Sequence, residues 1–271
     1  EGEGVSPHVV QLAGCDPYWM GEAARLAEAN GADIVDINMG CPAKKVTGGW
    51  AGSALMRDLD HAIALVEAAV AATSVPVTVK MRLGWDDASR NAPELARRAV
   101  DAGARMITVH GRTRQQFYKG TADWRAIAAV RAAGAIPVVA NGDIHDVADA
   151  RACLEQSGAD FVMVGRAALG RPWLVGAIGA ALDGRAFPPL TLAEKLALAC
   201  EHYEGLLSLM GVAHGVRHAR KHLAAYADDA VADGCEPDAE LRRSLLTSDE
   251  PKQVLVALTG LFSTERNREA A

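Results

Sequence analysis

The chain has 271 residues, half of them hydrophobic, and its 34 acidic and 28 basic residues give a net charge of −6. That length can bury one large core and a second, smaller one. The mild acidity argues against indiscriminate nucleic-acid binding but leaves room for a local basic patch, and no apolar run approaches the roughly 18 residues that a membrane span needs.

The opening "EGEGVSPHVV" has the character of neither a signal nor a transit peptide. It lacks an initiator Met, so the natural chain is expected to begin earlier. A short first strand, "HVVQLAG", is followed by five apolar strands: "DIVDIN" (33–38), "PVTVKM" (76–81), "RMITVH" (105–110), "IPVVAN" (136–141) and "DFVMVG" (160–165). Each reads as a continuous Val- and Ile-rich run without the alternation of a half-wet sheet, which suits a parallel sheet covered on both faces. Between them, "WMGEAARLAEA", "DHAIALVEAAVAA", "PELARRAVDA", "WRAIAAVRAA" and "VADARACLEQS" carry apolar residues at helical spacing. Asp16-Pro17, Asn91 with Pro93, and Asp146 mark helix starts; Gly31, Gly103, Gly134 and Gly158 mark stops.

Alternating strands and helices with short connections imply an α/β fold. A weak repeat, "GAD" or "GAR" before some strands and "VP" or "IP" before others, favours a (β/α)8 TIM barrel, whose alternate strands fill alternate core layers. A doubly wound sheet is the rival, but no Gly-rich turn follows the first strand. Six strands fall short of eight, so two βα units are expected to be missing from the front. After the hinge "LDGRAFPPLT", four helical segments follow: "LAEKLALACEHYEGLLSLM", "GVRHARKHLAAYADDAV", "DAELRRSLLTS" and "PKQVLVALTGLF". The expected division is a barrel domain over 1–185 and a helical domain over 186–271.

Functional groups of parallel barrels gather at the carboxyl ends of the strands. Here those ends carry Gln11; Asn38 with Cys41; Lys80 with Arg82; His110 with Arg112; Asn141-Gly142-Asp143; and Gly165-Arg166. A single strand-end Lys or His is most often a solvated residue; six polar ends together indicate a site. "NGD" and "GRAALG" offer backbone N–H groups for phosphate, with Arg166 adding charge. Gln11, Asn38 and Lys80 suit a planar heterocycle, and no His/Asp/Glu cluster has metal-ligand spacing. Asp36 is expected to pair with a core neighbour such as Lys80.

The five cysteines, Cys15, Cys41, Cys153, Cys200 and Cys235, form no CxxC or CxxH pair. Neither a disulfide framework nor a zinc site is expected, and a reducing, cytoplasmic compartment is. Cys153 and Cys200 read as buried core residues. Cys41, in "MGCPAKK", sits on a turn over the barrel mouth, where a thiol mostly protonated at neutral pH could donate a proton as well as attack as a thiolate.

Five stretches, "NMGCPAKKVTGGWAGSALM", "VTVKMRLGWDD", "ITVHGRTRQQFYKGTADW", "VVANGDI" and "VMVGRAALGRPWL", closely resemble the bacterial tRNA-dihydrouridine synthases, most of all the DusB-like branch. The resemblance is strong over residues 9–175 and looser over the tail ("ARKHLAAY"). It implies an FMN-binding barrel followed by a helical tRNA-binding domain, with NADPH reducing the flavin and the flavin reducing the C5=C6 bond of a D-loop uridine in tRNA. By the same resemblance Cys41 matches the catalytic acid. Gln11, Lys80, Asn141, Gly142, Asp143, Gly165 and Arg166 match flavin-binding positions, and His110 matches a residue near the flavin. The uridine must leave its stack to react, so a basic rim is expected from Lys44, Lys45, Arg112, Arg114 and Lys119. In "RHARKH", Arg217, Arg220 and Lys221 share a helix face and are expected to meet phosphate.

The family's first strand normally ends in a "PMAGVTD"-like turn that this chain lacks. Were these residues all there is, the strands at 9–12 and 160–165 would have exposed edges that invite association, with weak or absent FMN and little activity expected; with a missing N-terminal portion restored, the full mechanism is expected. Two other readings stand beside the first: a dihydroorotate- or dihydropyrimidine-type dehydrogenase acting on a free pyrimidine, and a non-catalytic RNA-binding remnant. The basic helical tail argues against the free pyrimidine.

Overall fold

The computed structural model describes residues 6–263. Six parallel strands form one sheet in sequential order: β1 (Val9–Leu12), β2 (Ile34–Met39), β3 (Val77–Arg82), β4 (Met106–His110), β5 (Val138–Asn141) and β6 (Phe161–Met163). Helices α1 (Pro17–Ala29), α2 (Lys44–Thr47), α3 (Leu59–Ala72), α4 (Ala92–Asp101), α5 (Trp124–Ala132) and α6 (Val147–Ser157) lie between them, with a 3-10 turn at Gly52–Arg57. Sequential order with parallel pairing means every crossover steps in the same direction. Right-handed crossovers then put all the helices on one side of the sheet. The contacts agree, since α1 packs on α3, α3 on α4, α4 on α5 and α5 on α6. This is the arrangement of a (β/α)8-type barrel, not of a doubly wound sheet. Among the described residues β1 and β6 are the two edges of the sheet.

The expectation that the strands lack alternation is overturned. Residues paired across a parallel sheet point to the same side, and Asp36 pairs with Thr78, Asn38 with Lys80, Lys80 with Thr108, and Arg82 with His110. Asp36, Asn38, Thr78, Lys80, Arg82, Thr108, His110 and Asn141 therefore share one face. Val35, Ile37, Met39, Val77, Val79, Met81, Ile107, Val109 and Ala140 occupy the other face and are almost fully buried. The helices cover this apolar side. The polar side runs toward the carboxyl ends of the strands.

Helix starts follow local chemistry. Asp16, Asp58, Asp123 and Asp146 accept a hydrogen bond from a backbone N–H of the first turn of α1, α3, α5 and α6. Asn91 precedes α4 but makes no such cap; its amide donates to the Met56 carbonyl instead. Gly158 ends α6 with φ +62, a left-handed conformation that costs glycine little.

The chain divides into two compact units, Glu1–Gly165 and Arg166–Ala271, some twenty residues earlier than the expected 185/186 division. The reason lies in residues 166–190. They include α7 (Leu174–Leu182), a helix the sequence reading passed over, and they are tied to the helices that follow. Trp173 packs against the helical core, and the Lys195 ammonium lies 4.8 Å from its ring centroid. Lys195 is in turn held by Asp229 at 2.9 Å and by Asp233.

In this second unit α8 (Leu192–Met210), α9 (Val212–Ala232), α10 (Ala239–Thr247) and α11 (Pro251–Ser263) enclose Tyr203, Val216, Leu223, Tyr226 and Leu258. Thr191 and Glu194 form a reciprocal capping box at the start of α8. Among the described residues no helix is long and apolar enough to cross a membrane.

Gly170 has φ +73, and a Cβ there would collide with the backbone carbon and oxygen of Ala225. Gly170→Ala is therefore expected to destabilise the second unit by at least about 1–2 kcal/mol. Thermal unfolding followed by circular dichroism would show this as a lowered midpoint.

Candidate active site

The polar face begins with a chain of hydrogen bonds that ends on the Cys41 loop. Thr78 Oγ1 donates to Asp36 Oδ1 at 2.6 Å, and Gln11 Nε2 donates to Asp36 Oδ2 at 2.7 Å. Asn38 Nδ2 donates to Gln11 Oε1 at 2.8 Å. Asn38 Oδ1 then accepts from the backbone N–H groups of Gly40 and Cys41, at 3.1 and 2.9 Å. From the other side Ser53 donates to the Cys41 carbonyl through both its N–H, at 3.1 Å, and its Oγ, at 2.9 Å. Gly52, with φ +60, lies so close that a Cβ would stand 2.8 Å from the Cys41 oxygen. The Cys41 backbone is thus fixed from both directions, while its side chain remains partly exposed.

Asp36 does not pair with Lys80, as the sequence reading expected. In register it faces Thr78, one strand over, and both its oxygens are occupied. Lys80 pairs in register with Asn38, and its ammonium reaches Asn141 Oδ1 at 3.4 Å. Burial, with the Arg82 guanidinium nearby, pulls Lys80 down to about 8; the Asp36 carboxylate pulls the other way. Asn141 Nδ2 donates to the Met163 carbonyl at 2.8 Å, which joins the tips of β5 and β6.

Arg82 is buried and has a structural task. Its Nε donates to the Gly40 carbonyl at 2.8 Å, and its Nη1 donates to the carbonyls of Thr113 and Phe117. It clamps the Cys41 loop to the loop after β4. His110 is buried beside Arg82, Lys80 and Arg112; burial first, then those three cations, push it down to about 3. Its ring is neutral at ordinary pH. Arg112 Nη1 lies 3.3 Å from His110 Nε2, so that nitrogen accepts and Nδ1 carries the proton.

Arg112 is not on the rim as expected. Its side chain is 2% exposed and forms a two-pronged pair with Asp143, at 2.9 and 2.6 Å. It also donates to the carbonyls of Lys119 and Gly120. Arg112 is therefore unavailable to RNA. Asp143 also accepts from the Ala122 N–H at 2.7 Å, which leaves its backbone, not its carboxylate, to meet a ligand. Arg112, with the residues named above, holds Asp143 below the usual carboxylate range although burial opposes this. Trp124 Nε1 donates to the Gly142 carbonyl at 2.7 Å.

The first unit thus brings together Gln11, Cys41, Lys80, His110, Asn141, Gly142 and Asp143. Gly165 closes that unit and Arg166 opens the second. Lys44, Lys45 and Lys119 are exposed, and Arg114 is partly buried. On α9, Arg217 and Lys221 are exposed; Arg220 is paired with Asp249 at 2.8 Å and with the Thr247 carbonyl. The sequence reading missed the positioning work of Asn38, Ser53, Arg82 and Trp124. Only the polar alternation of the strands could have signalled any of it. Cys153 is fully buried, and burial pushes its thiol up to about 12; burial also raises Cys200. Both suit inert core positions. Among the described residues no group of His, Cys, Asp and Glu side chains could hold a metal.

A buried ammonium with one long hydrogen bond beside a neutral His donor suits a flat, acceptor-edged ring. The family model described as dihydrouridine synthase matches residues 1–265. A probable tRNA-dihydrouridine synthase of Rhodobacter capsulatus is 54% identical over 266 residues, covering 98% of this chain and 79% of that protein. A probable tRNA-dihydrouridine synthase of Rhizobium leguminosarum is 51% identical over 259 residues, covering 94% and 78%. The tRNA-dihydrouridine synthase B of Xanthomonas axonopodis is 49% identical over 245 residues, covering 87% and 74%.

The lowered pKa of Lys80 makes its charge destabilising below pH about 8, an effect relieved as pH rises toward the unfolded value of 10.5. Lys80→Met is therefore expected to be more stable than the parent at pH 7. The margin should shrink through the window above pH 8, as read by urea unfolding of the flavin-free protein at several pH values.

Proposed function

The chain belongs to the dihydrouridine synthase family, and from that premise we propose that it reduces the C5=C6 bond of a D-loop uridine in tRNA, using FMN as cofactor and NADPH as reductant. The observation that carries this reading is the Cys41 loop. Its backbone is fixed by Asn38 and Ser53 at the end of β2, and Asn38 is the register partner of Lys80 on β3.

Bound FMN would supply the hydride that adds to C6 of the uracil. Everything else falls to the chain's own residues. Lys80 and Asn141 would hold the polar edge of the ring system. A desolvated cation beside a carboxamide suits an edge that gains negative charge on reduction. His110 adds a neutral N–H donor. Gln11 has its amide oxygen and one amide hydrogen engaged by Asn38 and Asp36, so it offers one remaining hydrogen. The backbone amides of Gly142, Asp143 and Gly165 would serve the cofactor's phosphate end.

Addition of hydride at C6 leaves carbanion character at C5, and Cys41 delivers the proton there as general acid. A fixed backbone lets the thiol meet the base in one geometry, and the base must be turned out of its stack to reach it. Lys44, Lys45, Arg114, Arg217 and Lys221 are the candidates for phosphate contact. Arg220 joins them only by exchanging its surface pair with Asp249, and such pairs are weak. The family match favours this reading over a dehydrogenase of free pyrimidines.

Cys41→Ala is expected to lower dihydrouridine formation in tRNA by about a hundredfold or more, as counted by nucleoside mass spectrometry. Oxidation of NADPH through bound flavin should persist. If dihydrouridine forms at the parent rate, Cys41 is not the acid.

A further inference from the structure

Two arginines near the Cys41 loop are held by aromatic rings rather than by carboxylates. The Arg57 guanidinium lies 5.2 Å from the Trp50 ring centroid and 4.9 Å from that of Trp85. On Trp85 a second guanidinium, that of Arg114, lies at 4.7 Å. The four side chains form an alternating ladder: Trp50, Arg57, Trp85, Arg114. Among the described residues neither arginine makes an ion pair, and the Arg114 Nε is buried without a hydrogen-bond partner.

The ladder gathers residues from three loops. Trp50 and Arg57 follow β2, Trp85 follows β3 and Arg114 follows β4. All three loops leave the carboxyl ends of the strands, the face that holds Cys41. The loops are also joined: Arg114 N–H donates to the Gly84 carbonyl and Gln115 N–H to the Trp85 carbonyl, each at 2.9 Å. Trp50 stands at the outer end. It is 56% exposed, although a free indole of that size is normally covered. Its φ of +57 is unfavourable for a residue with a side chain, by about 1–2 kcal/mol, so the fold holds the indole outward against a backbone cost. Beside it a cleft of about 490 Å³ is lined by Trp50, Arg57, Asp58, Leu59, Asp60 and Arg98. The carboxylates of that cleft are already engaged. Asp58 caps α3, and Asp60 pairs with Arg98 at 2.6 Å.

We propose that this ladder is a docking platform for single-stranded tRNA, in which the outer face of Trp50 stacks on a base flanking the target uridine and Arg57 takes the adjoining phosphate. The inference rests on the function proposed above. Its chemistry is general: an exposed indole stacks on any unpaired base, and a guanidinium already seated on aromatic faces keeps its N–H groups directed outward. Extrusion of a uridine unstacks its neighbours as well, so a stacking surface near the mouth recovers part of that cost.

The test titrates tRNA against the full chain, Trp50→Ala and Trp50→Phe at fixed salt, following both affinity and indole emission. The dissociation constant of Trp50→Ala is expected to rise about tenfold, within the range for loss of one stacked base. Trp50→Phe should recover most of the affinity, and the parent should show RNA-induced quenching that Trp50→Ala largely loses. Far-ultraviolet dichroism and melting of each variant confirm the fold. Parent-like affinity and quenching in Trp50→Ala would overturn the platform. Dihydrouridine formation by the parent reports separately on the wider reading. If the parent grips tRNA through Trp50 and makes no dihydrouridine, the reductase falls and the ladder stands.

Discussion

A strand shows its side chains alternately to two sides, and in β2, β3 and β4 this chain uses the two sides for opposite purposes. Val35, Ile37, Val79, Met81 and Val109 glue the sheet to the helices. Asp36, Asn38, Lys80, Arg82 and His110 look the other way. A register slip of one residue in any of these strands would put charge against the helices and apolar side chains at the mouth. Fold and site are therefore set by the same alternation. Nothing at the site can shift by a residue without undoing the core.

Polar groups on a buried face must find partners, because an unpaired one costs about 1–3 kcal/mol. Here they find one another. Asp36 takes Thr78 and Gln11, Gln11 takes Asn38, and Asn38 takes the backbone of Gly40 and Cys41. Arg112 takes Asp143, and Arg82 ties together the loops after β2 and β4. The result is a Cys41 loop held by its main chain, with no bond from the thiol needed to position it. The same bonds explain why Arg112 and Asp143, both plausible ligand-facing residues at strand ends, turn out to face each other.

Much of this was legible in advance, and the exceptions have physical causes. The strands from 33 to 141 and the helices at 192–210 and 251–262 follow from local periodicity and caps, which sequence carries directly. The alternation in "VTVKMR" was also present, but a tally of Val, Ile and Met hid it. Pairs such as Arg112 with Asp143, or Arg57 with Trp85, join residues about thirty positions apart, and no local pattern reports them. The division at 165/166 was missed because the Gly/Pro-rich hinge marks a flexible composition, whereas Trp173 and Gly170 mark where the packing changes sides. Cys41 stood out because its setting, between Gly and Pro on a turn, is atypical of a core cysteine.

The chain's net charge of −6 looks unsuited to an RNA substrate until its acids are followed to their partners. Around the mouth, Asp58 and Asp123 cap helices, Asp60 pairs with Arg98, and Asp87 and Asp123 share Arg90. Asp143 is occupied by Arg112. These acids are each matched by a cation or by helix N–H groups, and beyond about one Debye length salt screens what remains; Asp86 accepts instead from the Ser89 hydroxyl. Among the described residues Arg57, Arg114, Lys44, Lys45 and Lys119 lie on the loops of this face without an ion pair, Arg57 and Arg114 held against indole rings. A phosphate approaching this face meets the local surplus rather than the global deficit. Overall acidity thus coexists with a local cationic surplus at this face.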